Sequence, residues 1–311
     1  MWVYFANVPS TLNFNEVYDL QVFAQGAIRK LGIFANGIAA ITTVTQADLN
    51  SIGAKMNQCA AANIPYWNVL YSCDIMATTT ITNLVDTHTL TNDGLSTIIA
   101  MSLSGVAFDI YNQSGKSVNA LGTALGTVSL ALTGQSIAWV SQFNISDGTE
   151  CEKIGYANGQ DYYVVGTSAQ GLLDGMKYIF LRKFDGIISG SYWSNDVCNT
   201  LSTSDYAFLS DNTVIQKAIL YARTALIPQL NAPLTLNSDG TLQNTTIAYF
   251  EGLCRTQLEQ MVRAGEISAY SVVVPANQNV LSTSTLVVNI TIIKNGIARN
   301  ITVNIGFGLS V

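Results

Sequence analysis

Over the first 145 residues, apolar runs of strand length alternate with longer segments of helical period. This is the pattern of βαβ units around a mainly parallel sheet. Strands are predicted at Trp2–Val8, Ile33–Val44, Trp67–Tyr71, Gly105–Tyr111 and Ile137–Phe143. Helices are predicted at Val17–Leu31, Gln46–Ala62 and Val118–Leu132, with a broken region over 79–101. Asn15 before Glu16 and Thr45 before Gln46 are suited to cap helices, because their side-chain oxygens accept first-turn N–H groups. Asp48 is placed to favour the positive end of a helix dipole.

From Ser146 to Thr203 the pattern becomes turn-rich, with Asp147-Gly148, Asn158-Gly159, Asp174-Gly175 and Asp185-Gly186 between short strands. It reads as an insertion or a sheet edge. Asp211 then caps a helix through Leu226 that Pro228 stops, and a second helix runs from about Thr245 to Ala264. Strands follow at Ile267–Val274, Thr285–Ile293 and Ile297–Phe307. The expected organisation is an α/β domain over 1–145, a turn-rich β stretch over 146–205, and an α+β C-terminal domain over 206–311 that ends in a β-hairpin.

Asn295-Gly296 predicts the turn of that hairpin, since a type I′ turn needs positive φ at both central residues. Val288, Ile290 and Ile292 share one face of the first strand, with Asn289 and Thr291 on the other. In the second strand Ile297, Ile301, Val303, Ile305 and Phe307 share a face opposite Asn300, Thr302 and Asn304. Two strands alone are marginal in water, so the hairpin must pair further. It either packs on its own domain as an ordinary edge or adds to the sheet of another subunit.

Composition narrows the function. Of 311 residues, 49% are hydrophobic but only 11% are charged, against about 25% charged in ordinary soluble proteins. Such a chain meets water through Asn, Ser, Thr and Gln, or gives much of its surface to other protein. A net charge of −6 leaves no footprint for wrapping a polyphosphate, so nucleic acid is not expected as a direct partner. Cys59, Cys73, Cys151, Cys198 and Cys254 are scattered, odd in number and never in a CxxC pair. They read as reduced, buried thiols rather than a disulfide framework or a zinc site. The uncharged stretch Leu121–Val140 has the length of a membrane span, but its Gly, Ser, Thr and Gln residues make it a buried small-residue helix followed by a strand.

Candidate chemistry is sparse. The one histidine, His88, follows Asp86 by two residues, but neither G-x-S-x-G nor G-x-x-x-x-G-K-[ST] occurs. No catalytic, cofactor or metal site is expected. Gly122 and Gly126 on a predicted helix imply close packing with another helix. Asp205 and Asp211 are explained by a turn and a helix cap. The N-x-[ST] matches at Asn112, Asn144, Asn244, Asn289 and Asn300 reflect the Asn/Ser/Thr-rich composition.

One stripe stands out in so uncharged a chain. Glu251, Arg255, Glu259 and Arg263 recur every four residues with alternating sign, while Ile247, Phe250, Cys254, Leu258 and Met261 point to a core. The stripe is either a solvated ladder of weak pairs or a contact with another subunit.

From Gly122 onward the chain resembles the contractile tail sheath proteins of bacteriophages and related injection machines. The resemblance is carried in order by Leu121-Gly-Thr-Ala-Leu-Gly126, Ser136-Ile-Ala-Trp-Val140, Asp185-Gly186, Tyr192-Trp-Ser-Asn-Asp196 and Ser204-Asp205-Tyr206. It continues through Lys217, Arg223, Leu226-Ile-Pro228, Asp239-Gly240-Thr-Leu242, Met261 and Gly265-Glu266-Ile267 to the terminal strands. The resemblance implies a non-enzymatic virion protein, assembled in the host bacterial cytoplasm, that stacks with copies of itself as hexameric rings around an inner tail tube and contracts. It also implies that terminal segments add strands to neighbours' sheets and that the stripe 251–263 faces the tube or a neighbour. The composition fits a ring-forming tail terminator equally well. Sheath chains carry an extended arm before the first α/β element. Here strand 2–8 takes that role, or the arm is dispensable or trimmed.

Overall fold

A computed structural model describes residues 13–35, 43–104, 117–145, 153–303 and 305. The predicted strands at 2–8 and 105–111, Cys151 and Phe307 lie outside them. The elements are α1 (Asn15–Phe23), β1 (Lys30–Ala35), α2 (Gln46–Ala61), β2 (Asn68–Cys73), β3 (Leu95–Ile98), β4 (Ala100–Ser104), β5 (Val118–Asn119), α3 (Leu121–Leu130) and β6 (Lys153–Tyr156). There follow α4 (Tyr162–Gly175), β7 (Tyr178–Ile179), β8 (Leu181–Phe184), β9 (Ile188–Trp193), α5 (Leu209–Leu226), α6 (Asn244–Arg263), β10 (Ile267–Val273), α7 (Val280–Thr283) and β11 (Asn289–Lys294). They form two compact units, 1–219 and 220–311, whose boundary falls inside α5.

The first unit is built on a parallel sheet ordered β1-β2-β3-β7. Every residue of β2 and β3 is buried, as expected where both faces of a parallel sheet are covered. Val69, Leu70, Tyr71, Leu95 and Ile98 join Leu49 and Ile52 of α2 and Ala124 and Val128 of α3 in one core. The antiparallel sheet β5-β4-β6 and the hairpin β8-β9 complete the unit. The stretch 146–205 lies within it and supplies β7, the fourth parallel strand.

Several local expectations change for identifiable reasons. The helix predicted to reach Leu31 stops at Phe23, because Gln25 and Gly26 take φ of 51° and 74° and turn the chain into β1. A Cβ on Gly26 would lie 2.6 Å from Ile64 Cγ2, so glycine is needed for both the conformation and the close approach. Asn15 is the first helical residue rather than the cap, and Asn13 Oδ1 accepts its N–H at 3.0 Å. Thr45 caps α2 as expected, accepting from Asp48 N at 3.1 Å.

The strand predicted at Ile137–Phe143 is a run of turns. Ser136 Oγ accepts from Ala138 N, and Trp139 and Phe143 close on Ser136 O and Trp139 O, which leaves no ladder to form. In the turn-rich stretch, α4 was hidden by its glycines. Gly166 interrupts it at φ 75°, ψ 166°, a region open almost only to glycine. Asp211 is buried in the first turn of α5 rather than capping it; Asp196 receives the helix start, accepting from Leu209 N at its carbonyl and from Ser210 N at Oδ2. Gly122 and Gly126 do not serve close packing: both are exposed, and a Cβ on either would meet nothing within 4 Å.

In the second unit, Leu242, Phe250 and Val274 form a small core, with Cys254, Leu258, Met261, Ile267 and Val272 also buried. Among the described residues the last strand forms an antiparallel β pair, but its partner differs from the one predicted. β11 pairs with β10 from Val273↔Asn289 to Ile267↔Lys294, not with residues 297–303. Neither Asn295 nor Gly296 has positive φ, so the type I′ turn is absent. The Asn295 amide is used elsewhere: its Nδ2 donates to Gly265 O at 2.6 Å, and its Oδ1 accepts from Ser268 Oγ at 2.8 Å.

Candidate assembly surface

The two surfaces singled out in the sequence both lie in the second unit. Along β11, Ile290 and Ile292 are half-buried while Asn289 and Thr291 are exposed, which is the predicted alternation. Val288 packs at the edge of the Leu242–Phe250–Val274 core. Residues 297–303 form no strand, and their apolar side chains are left open. Ile301, Val303 and Ile305 are 81%, 71% and 90% exposed. Alternating apolar side chains exposed in this way are the chemistry of a strand suited to pairing with another chain.

The stripe is asymmetric. Arg255 Nη2 meets Glu251 Oε2 at 2.9 Å and Arg263 Nε meets Glu259 Oε1 at 3.4 Å, each pair one helical turn apart on α6. At the inner end, the Glu251 side chain is only 18% exposed, and its Oε1 accepts from Val274 N at 3.1 Å. Arg255 Nη2 also reaches Val272 O at 3.4 Å. Tyr270 Oη donates to Glu259 Oε2 or Arg255 O, each at 3.2 Å, and burial with Glu259 beside it pushes its phenol up. At the outer end, Arg263 is 79% exposed. The stripe is thus in part a set of ties between α6 and β10, a role visible only once the helix is packed on the strand.

Other candidates gain no chemistry. His88 Nδ1 lies 2.6 Å from Asp86 Oδ1 with both side chains about half exposed. Burial pushes the Cys59 thiol up to about 11 and those of Cys73 and Cys198 to about 12, so they stay protonated and poor as nucleophiles or ligands. Asp205 sits in an exposed turn. Among the described residues no group of three or more His, Cys, Asp and Glu could hold a metal, and no helix is long and apolar enough to cross a membrane.

Comparison with known structures gives this architecture a counterpart. A chain of the sheath complex of PVC, an extracellular contractile injection system, in its contracted state superposes with a TM-score of 0.58 at 10% identity, over 83% of this chain and 68% of that one. The two chains share a fold. A chain of the 6-fold symmetrised baseplate of the anti-feeding prophage is also similar to this chain, with a TM-score of 0.54 and 11% identity over 83% of this chain and 65% of that one. The chain therefore spans about two thirds of the length of these two structures' chains. The family model described as DUF2586, C-terminal domain, matches residues 205–311, the part that carries both candidate surfaces. No curated protein matches by sequence.

Proposed function

We propose that the protein is a non-enzymatic structural subunit of a contractile tail sheath, in a phage virion or a related injection machine. Copies stack as hexameric rings into a sleeve around an inner tube, and the segment after Lys294 adds a strand to a neighbouring subunit's sheet. The observation that carries this reading is the set of exposed apolar side chains Ile297, Ile301, Val303 and Ile305 on a chain whose fold matches a sheath-complex chain. Contraction is then a shift between two packings of nearly rigid subunits, with free energy stored at assembly and no nucleotide consumed. The exposed end of the stripe, Glu259 and Arg263, supplies register against the tube or a neighbour, where charge gives specificity more than affinity.

The likeness to a baseplate chain favours a second reading, a ring-forming component at the tail end. Electron microscopy of the purified full-length chain across a range of salt, with sedimentation, separates the two. Long hollow sleeves with a repeating ring are expected for the sheath subunit. Closed single rings would favour the second reading, and a stable monomer at all salt concentrations would overturn both.

A further inference from the structure

The sheet β10-β11 has two outer edges, and the described residues treat them differently. In an antiparallel strand the N–H and C=O of one residue point to the same side, and residues two apart share that side. Val272 and Val274 are two apart. The carbonyl of Val272 accepts from Arg255 Nη2, and the N–H of Val274 donates to Glu251 Oε1. Both groups therefore belong to one edge of β10, and side chains of α6 occupy it. The two side chains act together, because Glu251 Oε2 also holds Arg255 Nη2 at 2.9 Å. Tyr270 Oη lies 3.2 Å from the carbonyl of Arg255, which fixes the helix over the strand at this point. Along β11, Asn289 to Ile293 have no corresponding side-chain ties among the described residues, and Thr291 and Ile293 are exposed.

An open strand edge is a template for any extended chain, and proteins guard such edges with charged side chains. We propose that the Glu251–Arg255 pair is such a guard. It closes the outer edge of β10 at Val272–Val274, so that a strand from a second copy of this chain adds along β11 and reaches β10 only by displacing the pair. This deepens the assembly reading and rests on it for the identity of the incoming strand. The four-residue spacing of the stripe acquires a physical purpose: it sets a carboxylate beside a guanidinium at the height where β10 leaves its ladder. Glu251 accepts from both the backbone N–H and the guanidinium, and an incoming strand would have to replace both bonds.

The test uses the full-length chain and its Glu251→Ala/Arg255→Ala variant, kept monomeric by dilution for amide hydrogen exchange and then concentrated for sedimentation velocity. The guard predicts that the Val274 amide exchanges at least tenfold faster in the variant, and that the variant self-associates at concentrations where the parent does not. Glu251→Gln, which keeps an oxygen for the Val274 N–H, retains most of that protection. Thr256→Ala, at an exposed α6 position whose hydroxyl donates to Gly252 O of its own helix, behaves as the parent does. Unchanged Val274 exchange or unchanged self-association overturns the guard. Should the double variant lose the slow exchange of β2 and β3, Arg255→Lys replaces it and is read by the same two criteria, with smaller shifts of the same sign expected. Failure of the parent chain to polymerise at any salt concentration would count against the assembly reading, while the exchange measurement on the monomer still decides the guard.

Discussion

The indole Nε1 of Trp193 donates to Thr127 Oγ1 at 3.2 Å, joining the end of β9 to α3 at a point where both residues are buried. The same hydroxyl donates to Thr123 O at 2.8 Å, so it accepts from one partner and donates to another. Thr127→Val keeps the shape but leaves the indole N–H without a partner in the core. An unmade buried hydrogen bond of this kind costs about 1–3 kcal/mol. Denaturant unfolding monitored by tryptophan fluorescence should show that loss, and a midpoint equal to the parent's would mean that the pair contributes nothing.

Gly122 and Gly126 lie on the exposed face of α3, with open space where a Cβ would stand. Glycine inside a helix costs about 0.5–1 kcal/mol relative to alanine. Gly122→Ala and Gly126→Ala should therefore each stabilise the monomer by about that amount in thermal or denaturant melts. Destabilisation by either would show that a neighbour approaches within van der Waals distance after all.

Asp161 caps α4, accepting from Tyr163 N at 2.8 Å and pairing with Lys153 Nζ at 3.2 Å. The Tyr163 N–H first, and Lys153 after it, hold its carboxyl below the ordinary carboxylate value. A depressed folded-state value stabilises the fold above the ordinary range, and that contribution is lost as pH falls through the depressed value. Asp161→Asn should thus be less stable than the parent near neutral pH, with the difference shrinking as pH falls below about 4. Asp161→Ala should lose about 0.5–2 kcal/mol through the missing cap. A difference between parent and Asp161→Asn that does not change with pH would contradict the assignment.

Truncation after Lys294 removes the open segment and keeps β11 on β10. The expected outcome is a folded monomer with unchanged slow-exchanging amides in β2 and β3 that no longer forms polymers. Cutting before Thr285 would remove β11 as well, and so could not separate strand donation from loss of the β10-β11 sheet. Normal polymers from the shorter chain would refute donation by residues 295–311.

The two-period and helical-period patterns were enough to identify α2, α6, β2, β10 and the alternation along β11, because burial on one face imposes those periods directly. Low charge pointed to an assembly protein, and the ordered motifs from Gly122 onward pointed to the sheath fold found by structural comparison. What the sequence could not decide was which strand meets which. Asn295-Gly296 looks like a hairpin turn when only local backbone preference is weighed, yet Gly265 O and Ser268 compete for the Asn295 side chain, and they come near it only after β10 has folded. The same holds for Glu251 and Arg255. Their spacing announces a pair on one helix face, but whether that pair meets water, a neighbour or a strand edge depends on where β10 lies, and nonlocal packing sets that position.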